Sequence, residues 1–320
     1  MPNYLTDKKI SVVIACYNEE KNIIPMYDRL VPVLHSITPS YEIIYVDNNS
    51  SDGSEKIYDE LAKKDSKVSV IFMSRDFGSP DTSFSAGSEY AGGDAVVWID
   101  GDIEDPPEMI VDFVKKWLEG YNVVYGIRIK RKAGLVLRIG AKIFYRLFNA
   151  FSYISMPVGA GDFSLMDRQA VDALNSLPER DRFVRGLRSW VGFRQIGIPY
   201  ARTGRKAGTT TQKLSRRLHT ARKGILSFSY APLSLLTYIA VIAFGVIIVA
   251  GIIYPIWVIF DPAPSGFLTL LMIILFIGSV QILALAVIGE YVGKIFEEVK
   301  GRPKYIIRKI INDHRHMISS

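Results

Sequence analysis

One cysteine, Cys16, stands in 320 residues. No intrachain disulfide can form, and nothing points to an oxidising compartment. Histidine is nearly as scarce: His35, His219, His314 and His316 show no spacing suited to zinc. No Gly-x-Gly-x-x-Gly follows the first apolar run, and no Gly-x-x-x-x-Gly-Lys-Ser/Thr occurs anywhere. A dinucleotide-binding dehydrogenase and a P-loop NTPase are both poor fits. Met1 to Lys9 is polar and lacks the apolar centre of a signal peptide, so the N-terminus is expected to stay cytoplasmic. Charge, too, is missing from two long stretches. None occurs between Lys223 and Asp261, nor from Pro262 to Gly289.

Each uncharged run exceeds the roughly 20 residues that a spanning helix needs. Two transmembrane helices are expected, at about 233–260 and 266–290, joined by the short turn Asp261-Pro262-Ala263-Pro264-Ser265-Gly266. Lys206, Lys213, Arg216, Arg217, Arg222 and Lys223 precede the first span; Lys294, Lys300, Arg302, Lys304, Arg308 and Lys309 follow the second. The turn carries no Lys or Arg, so the positive-inside rule puts the large domain and both termini in the cytoplasm. Gly289-Glu290-Tyr291-Val292-Gly293 offers a small-x-x-x-small face, and a homo-oligomer, up to a tetramer, is expected through these helices. The expected organisation is a cytoplasmic domain at 1–229, a membrane part at 230–293 and a basic cytoplasmic tail at 294–320. A mean hydropathy of +0.17 beside 22% charged and 49% hydrophobic residues agrees with a soluble part joined to a membrane part. The net charge of +7 favours anionic partners: phosphates, nucleic acid or lipid headgroups.

In the first half, apolar runs at Ile10–Cys16, Tyr41–Val46, Val68–Met73 and Ala95–Ile99 alternate with helical stretches. This is the spacing of βαβ units and predicts a doubly wound, mostly parallel sheet. Ligands bind beyond the carboxyl ends of such strands. Asp47 ends the second run. The fourth ends in Asp100-Gly101-Asp102-Ile103-Glu104-Asp105-Pro106-Pro107-Glu108. Alternate residues of an extended chain point the same way, so Asp100 and Asp102 can offer two carboxylates to one hard cation, Mg²⁺ or Mn²⁺. A solvated acidic turn is the competing reading of any one such pair. Three aspartates at two strand ends of one domain argue against it.

Basic groups follow. Tyr125-Gly126-Ile127-Arg128-Ile129-Lys130-Arg131 ends another apolar run, and Arg202 to Thr211 is a basic, Gly- and Thr-rich loop before the first span. Arginine's planar fork suits phosphate oxygens. Between Lys130 and Ser152, basic residues alternate with Leu137, Phe144 and Phe148 among other large apolar ones. That pattern describes a helix lying in a membrane interface, or equally a surface helix packed on the core; 212–229 is expected to be a second interface helix.

The chain resembles the family 2 glycosyltransferases of GT-A fold, and within them the polyprenyl-phosphate type typified by bactoprenol glucosyltransferase and dolichol-phosphate mannose synthase. The stretches that carry the resemblance are Ala15-Cys16-Tyr17-Asn18-Glu19-Glu20, Asp47 to Gly53, Asp100 to Glu108, Gly159 to Arg168, the Arg205 loop and Ile288 to Gly293. The resemblance implies that Tyr17, Glu19 and Asp47 hold the nucleoside, and that Asp100, Asp102 and Glu104 hold the metal and diphosphate. It implies that Asp162, read as lying in a Gly-rich turn, faces the sugar, with Arg128, Arg131, Arg202 and Arg205 around the phosphates. The implied reaction is inverting transfer of a hexose, glucose from UDP-glucose first, to undecaprenyl or another polyprenyl phosphate at the cytoplasmic membrane face. GDP-mannose or another donor is the alternative, and a non-catalytic scaffold the distant one; nucleic acid is not an expected partner. Three departures stand out: Ala15 where Pro is usual, Glu104 where many relatives have Gln, and Thr209-Thr210-Thr211-Gln212 in place of Glu-Ser-Lys-Tyr. The lysine of that loop is missing, with Lys206 or Lys213 nearby as substitutes. A processive polysaccharide synthase fits less well, since Arg188-Ser189-Trp190 does not supply its Gln-x-x-Arg-Trp.

Overall fold

The computed structural model describes residues 4–129, 152, 154, 157, 159–202, 227–229, 231–260 and 266–313. The four expected strands form as β1 (Ile10–Cys16), β2 (Tyr41–Asp47), β3 (Val68–Met73) and β4 (Ala95–Asp100). Their residues are buried nearly throughout, as continuous runs of Val and Ile predict for strands covered on both faces. β5 (Val123–Arg128), β6 (Ala160–Asp167), β7 (Gln195–Tyr200) and β8 (Ile307–Ile311) complete an eight-stranded sheet in the order β7-β5-β6-β4-β1-β2-β3-β8. β6 and β8 are antiparallel to their neighbours, and the other adjacent pairs are parallel. The mostly parallel, GT-A-like α/β sheet expected from the sequence is therefore present.

Side chains alternate between two cores. Val12, Ile14 and Cys16 face α1 (Ile23–Ile37), α2 (Ser54–Lys64) and α4 (Ile110–Leu118). Val13 faces the other way, with Trp98, toward α3 (Pro80–Tyr90), α5 (Arg168–Ser176) and α6 (Val184–Trp190). Trp98 stacks on Phe84 at 5.2 Å between ring centroids and donates its indole N–H to Ser88 Oγ at 2.7 Å. A buried Trp needs that partner for its one polar atom.

Two local readings change. Asp162 lies inside β6, not in a turn, because Gly161 leaves the space against which the Arg128 guanidinium packs; a Cβ there would lie 3.1 Å from it. Within the expected basic tail, Ile307–Ile311 joins the sheet as β8, with Ile71 opposite Ile310. Arg308 and Lys309 had masked its strand character in the sequence.

Beyond the sheet run α7 (Ala231–Phe260) and α8 (Phe267–Val299). Among the described residues, Met272–Val299 is long and apolar enough to cross a membrane by length and composition, and a shorter apolar stretch runs from Leu233 to Val246. Tyr238, Ile242, Phe244, Ile282 and Leu285 are 65–70% exposed on these helices. The turn at 261–265, the interface segment 130–151 and residues 212–226 lie outside the described residues.

Strand β8 covers what would otherwise be the open edge of β3. Asn312 adds to this by donating to Ala62 O at 2.8 Å and Val68 O at 2.9 Å, while Ser69 Oγ donates to Asn312 O at 2.6 Å. Deleting residues 306–320 should bare that edge and promote aggregation. At ~2–4 °C per kcal/mol for a domain of this size, a loss of about 3 kcal/mol lowers the melting temperature by roughly 10 °C. Thermal unfolding with light scattering checks this; an unchanged midpoint without aggregation would show the strand to be dispensable.

Candidate active site

Strand register brings the acidic ends together. Cys16 pairs with Asp47 across β1–β2, and Ala15 with Asp100 across β1–β4. Two backbone bonds extend the stitching past the strands: Gly101 N–H to Ala15 O at 3.0 Å, and Asn48 N–H to Cys16 O at 2.9 Å. Cys16 is buried beneath this junction. Its thiol is pushed up chiefly by burial, with Asp47, Glu19 and Asp100 adding to the rise.

The loops after β1 and β2 clasp one another. Asn18 N–H donates to Ser50 Oγ at 2.9 Å, and Ser51 N–H donates to Asn18 Oδ1 at 2.8 Å. Both Asn18 (φ 54°) and Asn49 (φ 62°) adopt the left-handed conformation that Asn tolerates. Asp47 is 3% exposed and accepts from the Ser50 N–H at 3.0 Å and hydroxyl at 2.5 Å; burial raises its carboxyl even so. Glu19 accepts from Asn22 at 2.5 Å, and Tyr17 is exposed at the rim.

The turn after β4 is tight. Gly101 has no room for a side chain: a Cβ would sit 2.6 Å from Cys16 Sγ. Ile103, a β-branched residue, is held at φ 56°, a conformation that costs of order 1–3 kcal/mol. This bend lets Asp100, Asp102, Glu104 and Asp105 crowd one region. Arg202 sits among them, at 3.7 Å from Asp100, 3.9 Å from Asp102, 2.5 Å from Glu104 and 2.8 Å from Asp105.

Asp105 is the anchor. It is fully buried and accepts from Tyr200 Oη at 2.5 Å, from Arg202 at 2.8 and 3.2 Å, and from Arg128 at 3.3 Å. Burial would raise its carboxyl, but Arg128 and Arg202 outweigh that and hold it low. Asp100 goes the other way. Burial, then the carboxylates of Asp162, Asp102 and Asp105, push it up to about 8. Asp162, 4% exposed on β6, is held by both ends of the Arg185 fork. Burial opposes its ionisation, but Arg185, Arg128 and Arg188 outweigh it and keep the carboxyl low.

These residues fit a divalent cation by donor chemistry. Asp100, Asp102 and Glu104 offer only oxygen, and burial together with the neighbouring carboxylates raises the Asp100 carboxyl, an excess of negative charge that such a cation would relieve. Among the described residues no three acidic or imidazole side chains are already closed around one point; Arg202 lies between the carboxylates instead. Of the predicted site residues, Tyr17, Glu19, Asp47, Asp100, Asp102, Glu104, Arg128, Asp162 and Arg202 border the same carboxyl end of the sheet. Arg131 and Arg205 fall outside the described residues. Sequence reading missed Asp105, Tyr200, Arg185 and Arg188. The last two are three apart beside buried Val184 and Leu187, so they share a helix face, a signal available in Val184-Arg185-Gly186-Leu187-Arg188.

A family model described as glycosyl transferase family 2 matches residues 11–174. The chain belongs to that family. It is 40% identical over 305 residues to an uncharacterized glycosyltransferase, YkcC, of Bacillus subtilis, covering 93% of each chain. It is 37% identical over 308 residues to the SfII prophage-derived bactoprenol glucosyl transferase of Shigella flexneri, covering 94% of this chain and 98% of that one. Among solved structures it resembles mannosyl-3-phosphoglycerate synthase from Rubrobacter xylanophilus, at 17% identity and a TM-score of 0.47 over 68% of this chain and 72% of that one.

The Gly101 contact has a direct test. Gly101→Ala should cost about 1–3 kcal/mol through overpacking. Removing the sulfur should make room, so adding Gly101→Ala to Cys16→Ala should cost much less. Denaturant unfolding of the four proteins checks this; strictly additive losses would mean the Cys16 contact is not the constraint.

Proposed function

We propose that the chain transfers a hexose, glucose in the first instance, from a nucleotide diphosphate sugar, UDP-glucose, to a polyprenyl phosphate, with inversion at the anomeric carbon. The reading is carried by the opposition at the β4 end: Asp100, Asp102 and Glu104 on one side, Arg128 and Arg202 on the other, around buried Asp105. That arrangement suits a cation-bound diphosphate and a second phosphate together. The Shigella flexneri relative supports the substrate class, since its likeness runs well past residue 174.

In this reading Tyr17, Glu19 and Asp47 receive the nucleoside, and Asp100, Asp102 and Glu104 hold Mg²⁺ or Mn²⁺. When bound there, such an ion would supply positive charge against a leaving diphosphate. Arg128 and Arg202, with Arg131 and Arg205, draw the acceptor phosphate in line with the anomeric carbon. α8 and α7 cross the membrane as a hairpin, with the sheet domain and basic flanks on the cytoplasmic side. Copies associate through these helices, and the 130–152 segment lies on the bilayer where the lipid arrives. Incubation with UDP-glucose, UDP-GlcNAc or GDP-mannose and undecaprenyl phosphate tests the function. Glycolipid formed with UDP-glucose supports it, formation from GDP-mannose alone replaces the sugar, and no product with any donor sinks it.

Asp102→Asn should cut transfer by at least about 10²-fold while the fold stays intact. Millimolar Mg²⁺ or Mn²⁺ should raise the melting temperature of the parent, since a ligand that binds only the folded state stabilises it. The variant should lose that shift. Turnover within a few-fold of the parent, with the shift retained, would remove Asp102 from the cation site.

The acceptor needs no base. A phosphate monoester has its second pKa at about 6 and is mostly dianionic at neutral pH. Asp162, clamped by Arg185 with its carboxyl held low, has little proton affinity to offer. Its role is to orient the sugar and counter developing positive charge. The acidic limb of the pH–rate profile should therefore lie near pH 6 and persist in Asp162→Asn on a plateau lower by roughly 10²-fold. Disappearance of the limb in the variant would make Asp162 the base.

A further inference from the structure

Asp162 is held by Arg185, and Arg185 is carried by α6, which is approached by the residue three before α7 and, through Arg180 and Asp181 just ahead of it, by the end of α8. The first contact is buried. Phe228, 3% exposed and three residues before α7, packs against Phe183 at 6.3 Å between ring centroids. It also closes on Gly186 in α6, where a Cβ would lie 2.3 Å from the ring. The second contact comes from the end of α8. Glu298 accepts the backbone N–H of Arg180 on both oxygens, at 3.0 and 3.1 Å, and that of Asp181 on Oε1 at 3.1 Å. Lys294 reaches Asp181 at 3.3 Å and Ser227 Oγ at 2.9 Å, and Arg180 donates to Arg302 O. Between these contacts lies α6, whose Arg185 grips Asp162 and whose Arg188 donates to Gly161 O at 3.1 Å.

We propose that Phe228 and Glu298 are positioning residues: the seating of α7 and α8 on the 180–188 segment sets the place of Arg185, and through it of Asp162 in β6. A buried ring on a residue with no side chain, and a carboxylate on two consecutive N–H groups, each fix position rather than merely add area. Neither residue touches the carboxylates at the β4 end. Moving α6 shifts the Arg185 fork, and a displacement of about 1 Å at such a group can cost 10²-fold in rate. The inference rests on the glycosyl-transfer reading for its kinetic arm only.

The test uses the full chain in lipid nanodiscs. Gly186→Ala should lower kcat by about tenfold or more with little change in donor KM, and the added Phe228→Ala should restore part of it, since Phe183 lies 2.8 Å from the same Cβ position. Glu298→Ala should act in the same direction, whereas Glu298→Gln keeps an oxygen for both N–H groups and should stay within about twofold. Hydrogen exchange supplies the readout independent of substrate. In Glu298→Ala and Gly186→Ala, amides of 180–190 and 160–164 should exchange faster while those of 10–16 and 95–100 do not change. A parent that transfers no sugar overturns the function but not this coupling, which the exchange pattern still decides. Unchanged exchange in 160–190, acceleration spread evenly through β1 and β4, or equal losses in Glu298→Ala and Glu298→Gln would overturn it.

Discussion

Too much negative charge in one place is the constraint around which this molecule is arranged. Asp100, Asp102, Glu104 and Asp105 come from six consecutive residues, and Asp162 approaches from the neighbouring strand. Two like charges 4 Å apart repel by about 4 kcal/mol at the effective dielectric of a protein surface, so this group persists only with countercharge. Arg202, Arg128 and Arg185 supply part of it. Asp105 and Asp162 hold the closest arginine contacts and their carboxyls stay low, whereas Asp100, with Arg202 no nearer than 3.7 Å, is pushed up to about 8 by burial and the neighbouring carboxylates. Asp100 thus shares Arg202 with three other carboxylates and keeps less of its countercharge than Asp105 does.

The same constraint explains the local backbone. Gly101 lets the turn after β4 fold over Cys16, and Ile103 bears a left-handed φ so that Asp102 and Glu104 come back toward Arg202. A relaxed turn would spread these side chains and lower their mutual repulsion. The fold holds the opposite arrangement because the flanking strand and Ile103 itself are packed against the core.

How much of this was legible in the sequence follows the range of the interactions. β1 to β4 are continuous apolar runs, and β2 and β4 run directly into acidic residues, so local reading found them together with Asp47, Asp100 and Asp102. β8 was missed because Arg308 and Lys309 interrupt its apolar residues and its partner β3 lies more than 230 positions earlier. Asp162 was found as a residue but assigned to a turn, since Gly159 and Gly161 read as turn formers until the Arg128 guanidinium occupies the space beside Gly161. Asp105 and Arg185 act through partners 97 and 23 positions away, respectively. Nothing in their immediate neighbours announces those pairs.

The C-terminal return of the chain bears on the reaction proposed for it. Before α7, Phe228 is fixed over α6, on the β6 side of the central strands; after α8, β8 is fixed to β3, on the other side. The sheet domain is thus attached to its apolar helices at two points that straddle β1 and β4. A single tether would let the domain swivel about it, and each lost orientation of a tethered pair of reactants would be a cost in rate. Two tethers remove most of that freedom before any substrate binds. For the proposed transfer between a lipid-borne phosphate and a soluble donor, two such tethers would hold the strand ends in one orientation relative to α7 and α8.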